Sequence, residues 1–373
     1  MKTPRDWVTR PLSQFVSLQR GFDLPTHARV PGSVPVLSSG GVNGSHNEAK
    51  VDGDNFVIGR ATNIGRPTWS SVPFWPLNTT LFVKDFLGNF PKFCFYWFLA
   101  TDLSGFDSGS VQPMLNRNYI ANIPVAIPSF GEQQRIAGVL GALDDKIESN
   151  QNLTEIILSL IGAQIDYELS DGSGDLFPVS ELAKFVNGGA YTKEASGTGR
   201  MVIRIADLNS GPSASTIYND IDVPGDRLAH FGDLLMSWSG SLGIYVWVRD
   251  EAIVNQHIFK VICTNFPAWL VHNRLNAVLH RFRSIAADKA TTMGHIQRKH
   301  LDETFVEVPV TKLGQLSHLC APLWNRFISA QLESMQLAAL RDALLPELMS
   351  GRMRVDEAGH LVSEALDEEV ADV

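Results

Sequence analysis

The chain writes one strand-stop-helix pattern twice. Residues 123–147 read IPVAIPSFGEQQRIAGVLGALDDKI, and residues 305–327 read FVEVPVTKLGQLSHLCAPLWNRF. In each, a short apolar strand halts at a proline and a long amphipathic pattern follows. Four further pairs of segments repeat in the same order. PLSQFVSL (11–18) is similar to PVSELAKF (178–185), with Gly21 following the first and Gly188 and Gly189 the second. VPVLSSGGVNG (34–44) is similar to MVIRIADLNSG (201–211), both read as a strand running into a turn. DGDNFVIGRATNIGRPTW (52–69) matches HFGDLLMSWSGSLGIYVW (230–247), and PLNTTLFVK (76–84) matches IVNQHIFKV (253–261). Each is weak alone, but five in one order mean an internal duplication with a period too long for a solenoid.

The duplication predicts an α+β chain with two similar mixed domains, each followed by a long helix. We place the first domain over 1–130, a central helix over 131–170, the second domain over 171–310, a C-terminal helix over 311–352, and an acidic, flexible tail over 353–373. In the central helix, Ile136, Leu140, Leu143, Ile147, Leu153, Ile157, Leu160 and Gln164 recur at intervals of mostly three and four, a coiled-coil seam. In the second, Leu316, Leu319, Leu323, Phe327, Ala330, Leu337, Leu340 and Leu344 form the stripe. Pro322 falls inside it, so the helix is expected to start late or bend there, and Pro346 with Gly351 to mark its end. A helix of about 35 residues is roughly 50 Å long, and its apolar stripe needs a partner. The segment 131–177 carries −7 and 311–355 carries +2, which favours the two helices pairing with each other, antiparallel.

Net charge is −9, but another −7 sits in the tail 356–373, leaving the domains neutral to mildly basic and DNA binding open. The longest dense apolar run, FCFYWFLA at 93–100, is too short to span a bilayer, and the N-terminus reads as no signal segment, so we expect a cytoplasmic chain with no membrane partner. Cys94, Cys263 and Cys320 lie far apart, which indicates neither a zinc site nor a disulfide framework.

No GxxxxGK[ST], HExxH or GxSxG motif occurs, and no GxGxxG follows a strand, so no catalytic class is indicated and no metal or cofactor is assigned to this chain. Glu48 and Lys50 with Asp23 upstream faintly suggest a Mg²⁺-dependent nuclease. A solvated turn explains them better.

Polar loop chemistry remains. GRATNIGRPTW (59–69) presents Arg60, Thr62, Asn63 and Arg66 between glycines, and SWSGSLG (237–243) offers Ser237, Trp238 and Ser239. Asn78, Asn255, Gln256 and His257 fall on the repeated LNTT and VNQHI stretches. Gln112, Arg117, His295, Gln297, Arg298 and Lys299 come from the segments before the last strand of each copy, and Arg20, Lys193 and Arg204 complete the set. Arg can fork onto guanine and Asn onto adenine, so the group is read as a DNA-recognition surface carried in two copies.

The stretch Glu132-Gln133-Gln134-Arg135-Ile136 after a proline-punctuated strand resembles the start of the spacer helix in type I restriction-modification specificity subunits. LRDALLPELMSGRMRV (340–355) is similar to that family's C-terminal signature, and GRATNIG and SGSLG to its Gly-bounded loops. The second copy departs from the pattern: Gln315 lacks a preceding Glu, which puts a cap from that Glu in doubt. The resemblance covers all but the tail. It implies a non-catalytic DNA-recognition subunit, cytoplasmic and prokaryotic. Two target-recognition domains would read a split double-stranded target, with the helices as a ruler between half-sites. Two methyltransferase subunits would dock on the helices and bring S-adenosylmethionine. An endonuclease/translocase subunit would bring ATP and Mg²⁺. The alternatives are a self-contained nuclease and a scaffold without nucleic acid.

Overall fold

The computed structural model describes residues 6–106, 114–288 and 294–367. It divides into two compact units, the first running to Ile147 and resuming at Gln336, the second covering Glu148–Met335.

In the first unit, β1 (Val8–Pro11) pairs antiparallel with β9 (Pro124–Ile127), Pro11 facing Pro124. Proline's missing donor is tolerated at these strand ends. Directly after Pro11 a single 3-10 turn, Leu12–Gln14, drives Leu12, Phe15 and Val16 into the core. The chain then forms β2 (Ser17–Arg20), β3 (Val34–Ser38), β4 (Gly41–His46), β5 (Asn55–Gly59), β6 (Pro67–Ser70), β7 (Trp75–Pro76) and β8 (Thr80–Asp85). These make a four-stranded sheet in the order β2-β8-β5-β6 and a three-stranded sheet β4-β3-β7, in which β3 and β7 are parallel. α1 (Pro91–Ala100) is apolar all round and buries Phe93 through Phe98, as such a helix must. α2 (Arg117–Ile120) precedes β9, and α3 (Phe130–Leu169) follows it.

The second unit repeats this plan. β10 (Asp175–Pro178) pairs with β19 (Phe305–Val308), Pro178 facing Phe305, and the one-turn α4 (Val179–Leu182) buries Val179 and Leu182. β11 (Lys184–Asn187), β12 (Arg200–Ile203), α5 (Ile205–Ser210), β13 (Ile217–Asn219), β14 (Leu228–Ala229), β15 (Leu234–Ser237), β16 (Gly243–Val246), β17 (Ala252–Val254) and β18 (Ile258–Ile262) follow. They form sheets in the orders β11-β18-β15-β16 and β13-β12-β17-β14, again with one parallel pair, β12 with β17. α6 (Ala268–Asp288), α7 (Arg298–Asp302) and α8 (Leu313–Ser350) complete the repeat. The copies diverge after the parallel strand: the first turns into β4, while the second enters helix α5 rather than the expected turn.

α3 and α8 lie antiparallel within each unit. In the second, Asn150 donates to Glu333 Oε2 at 2.8 Å and Lys312 pairs with Glu168 at 3.8 Å. In the first, Arg341 Nη1 donates to Asp144 Oδ1 at 2.8 Å, and Tyr96 Oη donates to Asp144 Oδ2 at 2.6 Å, tying α1, α3 and α8 through one carboxylate. Burial first, then the negative charge of Asp144, pushes the Tyr96 phenol well above its usual range and keeps it a donor.

Four expectations need correction. The buried seam of α3 runs through Ile157, Ile161 and Ile165, while Leu160 is exposed, because 3.6 residues per turn walks a fixed three-four pattern off the buried face. α8 starts at Leu313, before Pro322, and runs through Pro346 to a positive-φ Gly351. Burial of Leu316, Cys320, Trp324 and Phe327 around Pro322 outweighs the lost backbone bond, while Leu319 of the expected stripe faces outward. Glu132 pairs with Arg135, and the buried Gln133 is what pins the start of α3. It donates to Asn89 Oδ1 at 2.9 Å and Pro128 O at 3.1 Å and accepts from Phe90 N at 2.8 Å. Finally, the expected flexible tail holds α9 (Val355–Asp367), whose Val355, Ala358 and Val362 join the first unit's core while Arg135 donates to Asp356 at 3.0 Å.

Pro322 is exposed, so removing its ring costs no packing. Pro322→Ala should therefore stabilise the fold by about 1–3 kcal/mol, read as a higher urea midpoint at unchanged slope; a lower midpoint would mean the proline serves the helix. His272 packs against Trp324 and Phe327, at 5.1 and 6.0 Å between ring centroids, and burial pushes its pKa from 6.5 to about 4. The unfolded chain therefore binds this proton first, so stability is full above about pH 6.5 and falls as pH drops toward 4, by ~3 kcal/mol in all. Urea titrations across that window should show this loss in the native protein and a smaller one in His272→Phe.

Candidate nucleic-acid interface

The same backbone lattice holds a loop in each unit. In the first, Arg60, just past β5, donates its amide to Thr79 O at 2.9 Å, and its carbonyl accepts from Leu115 N at 2.8 Å. In the second, Trp238, just past β15, donates to His257 O at 3.2 Å and accepts from Ile296 N at 3.0 Å. Arg60 and Trp238 are thus one position in two copies. Gly21 N donates to Thr80 O and Gly188 N to Ile258 O, each at 3.0 Å. A Cβ on Gly21 would lie 2.2 Å from Leu77 O, and one on Gly188 2.2 Å from Asn255 O, so these glycines are required by close backbone approach. Their repetition was visible in the sequence; the contact behind it was not.

In the first unit's loop, Asn63 takes a positive φ of 50°, and its Nδ2 donates to Ser39 O at 3.1 Å. Thr62 Oγ1 bonds Ser39 Oγ at 2.6 Å. Ser39, which no motif singles out, therefore anchors the loop from β3's end. Arg60 reaches Asn78 O at 3.4 Å, Asn78 bonds Asp23, and Arg20 pairs with Asp23 at 3.4 Å. Arg66 is exposed beside Asp102, whose carboxyl is held below its usual range first by bonds from Ser104. Arg20, Arg60, Thr62, Asn63 and Asn78 thus share a network, with Arg66 on the same loop. Glu48 pairs with Lys50, which also lies 5.0 Å from the Trp75 ring centroid, and Asp23 is engaged by Arg20 and Asn78. These partners are those of a surface turn rather than a metal cradle.

In the second unit, Trp238 sits between imidazoles, 5.4 Å from His257 and 6.4 Å from His295. The Trp238 Nε1, His257 Nδ1 and Asn255 Oδ1 atoms are buried and carry no hydrogen-bond partner among the described residues. Gln256 lies beside His257 at 3.3 Å, exposed, and Lys193 is exposed on a turn.

Several expected contact residues hold the scaffold. Ser237 is fully buried, donating to Ser241 O at 2.6 Å and accepting from Gly243 N at 2.8 Å, and it closes the loop from inside. Ser239 is buried in a bridge with His295. Arg204 forks onto Asp207 at 2.8 and 3.1 Å at the start of α5. Burial pushes Asp207 upward, but bonds from Arg204 and Thr216 outweigh it and hold its carboxyl low. Arg117 donates to Leu18 O at 3.0 Å and Arg298 to Phe185 O at 3.4 Å, one structural pin in two copies, though both remain exposed. Gln297 caps α7, its amide donating to His300 Nδ1 at 2.9 Å, and Lys299 is exposed. Gln112 lies outside the described residues.

Residues 4–158 match the family described as the type I restriction modification DNA specificity domain. The type I restriction enzyme MjaIX specificity subunit of Methanocaldococcus jannaschii is 25% identical over 326 residues, covering 76% of this chain and 74% of that protein. The crystal structure of the S subunit of a type I restriction-modification system from M. genitalium superposes with a TM-score of 0.56. It does so at 15% identity, over 93% of this chain and 98% of that one, which is a likeness of fold.

A Cβ on Gly59 would lie 2.2 Å from Asn63 O and 2.8 Å from Thr62 O. Gly59→Ala should force the loop open and cost about 1–3 kcal/mol, with faster amide exchange over 60–66 by mass spectrometry. Asn63→Gly keeps a backbone angle glycine prefers but loses the Nδ2 bond to Ser39 O, so it should speed exchange over 60–66 by less than Gly59→Ala does.

Proposed function

We propose that the chain is a type I restriction-modification specificity subunit, as the match of residues 4–158 and the likeness to the MjaIX subunit support, and that each unit reads one half of a bipartite double-stranded DNA target. The observation that carries this reading is the repeated loop lattice: the same backbone clasp displays Arg60 in one unit and Trp238 in the other. A shared frame with different side chains suits a target whose halves differ in sequence. Base edges are read by side chains in the grooves, while phosphate contacts supply most affinity without sequence information.

Recognition falls to Arg60, Thr62, Asn63, Arg66 and Asn78 in the first unit, and to Trp238, Gln256, His257 and His295 in the second. Arg20, Arg117, Arg298, Lys193 and Lys299 are exposed cations available to phosphate. The neutral balance of the domains fits a subunit that shares phosphate contacts with partners. Two methyltransferase subunits carrying S-adenosylmethionine would dock on α3 and α8, with an endonuclease subunit using ATP and Mg²⁺ joining them in the cytoplasm. Ile156, Leu160 and Tyr167, exposed on α3, support an apolar docking stripe. In this reading the paired helices act as the ruler between half-sites. Among the described residues no helix is long and apolar enough to cross a membrane.

The test is methylome sequencing of a host expressing the chain with its methyltransferase. The expected pattern is a split motif, with Arg60→Ala and Arg66→Ala relaxing bases in one half only. Motifs altered in both halves, or no methylation dependent on this chain, would overturn the assignment.

A further inference from the structure

A cavity of about 330 Å³ opens in the second unit beside the Trp238 loop. Trp238, Phe259, His295 and Ile296 line it, with Asn187, Gln297 and Arg298 completing the wall. Phe259 is buried and its ring centroid lies 6.0 Å from that of Trp238, so the two form a fixed apolar floor. Trp238 and His295 are half-buried and line the opening. Asn187, Gln297 and Arg298 add polar groups to the lining.

The duplication supplies the control. Strand pairing places Arg20 opposite Leu81 and Asn187 opposite Phe259. With the Arg60–Trp238 and Leu115–Ile296 equivalences, the counterparts of Asn187, Trp238, Phe259 and His295 are Arg20, Arg60, Leu81 and Met114. The first unit therefore has guanidiniums and aliphatic chains where the second has three aromatic rings and an amide. Guanidiniums read base edges in the groove. An apolar slot bounded by aromatic rings suits the face of a planar ring that has left its stack. Pockets of a few hundred Å³ with apolar walls and a few polar groups are the usual form of a small planar-ligand site.

We propose that this pocket receives one unstacked nucleobase from the half-site read by the second unit, with Trp238 as its stacking platform. The proposal rests on the DNA-recognition reading. Extruding a base costs a few kcal/mol of pairing and stacking, and aromatic stacking returns part of that. Specificity at this position then arises from which base fits the slot and how readily its pair opens.

The experiment uses the full chain in complex with its methyltransferase and a duplex carrying the motif found by methylome sequencing. The second half-site is the one unaffected by Arg60→Ala. A single mismatch is placed at each of its positions in turn, changing only the opposing base. Where a base is extruded, a mismatch lowers the cost of opening and should tighten binding severalfold. Trp238→Ala should abolish that gain and weaken matched binding roughly tenfold, while Trp238→Phe, which keeps a ring, should retain most of it. The methylated position, whose base the methyltransferase extrudes, is left out of the scan, so tightening at any other position of the second half-site stands by itself even where Trp238→Ala fails to fold. If every mismatch weakens binding or leaves it unchanged, no base enters the pocket and the proposal is overturned, with DNA recognition intact. If the complex shows no salt-dependent affinity for the matched duplex, the recognition reading fails and takes this one with it.

Discussion

Each unit depends on a two-stranded ribbon: β1 with β9 in the first, β10 with β19 in the second. The ribbon joins the first strand of the unit to the last strand before its long helix. A chain that meanders through two small sheets and more than a hundred residues is thereby closed on itself, at the large loop-closure cost that non-local pairing carries. Closure brings the chain to the helix entrance at a defined residue, since β9 ends at Ile127 and α3 begins at Phe130. Gln133 then satisfies Phe90 N, Asn89 and Pro128 O from the first turn of α3. A buried side chain with all of its bonds made fixes orientation because any rotation would orphan a donor or acceptor. In the first unit the chain enters α3 through this ribbon and its Gln133 clamp.

The two copies show which parts of such a frame are free to change. The backbone bonds around Arg60 and Trp238 are kept, as are the strand order, the parallel pair and the Arg117–Arg298 pin. The segment after the parallel strand is not kept, being a hairpin in one copy and helix α5 in the other. Bonds between main-chain groups do not depend on side-chain identity, so a lattice built from them tolerates replacement of every side chain it displays. In the proposed reading, that separation of frame from display would let a duplicated reader acquire two targets.

The sequence made the duplication, the sheet-then-helix order and both helices legible, because these follow from apolar periodicity and from prolines and glycines with local effects. It misled where a residue's type was taken for its role. Ser237 and Arg204 look like contact residues, yet one closes a loop from within and the other holds Asp207. Polarity reveals a need for partners and not where those partners lie. Pro322 looked like a late start or a bend, yet α8 begins at Leu313 because the stripe buried around the proline outweighs the bond it forgoes; of the two end signals, Pro346 lies inside the helix and Gly351 directly follows its last residue, Ser350. α9 was hidden by its charge: −7 over residues 356–373 masks an apolar stripe of Val355, just before them, Ala358 and Val362, spaced at three and four. Ser39 and Phe259 carried no local signal, since each matters only through a neighbour remote in the chain.

In the proposed reading, the asymmetry between the loops bears on how a chain of net charge −9 discriminates among DNA sequences. Arg60 brings a charge whose attraction to DNA acts on every sequence and is weakened by salt. Trp238 brings no charge, and its buried Nε1, with the neighbouring His257 Nδ1 and Asn255 Oδ1, has no partner among the described residues. An unpaired buried donor or acceptor costs roughly 1–3 kcal/mol, a penalty a correct ligand can relieve and a wrong one cannot. Discrimination by unsatisfied groups is sharper than discrimination by attraction, since the wrong partner leaves them buried and unpaired. In the proposed reading, a second unit that reads through such groups would be selective at little gain in general affinity, and a first unit that reads through Arg60 would add affinity. Tethering both in one chain would then let the first unit's binding raise the effective concentration at which the second samples its site, so that the weaker but more selective reader decides the outcome.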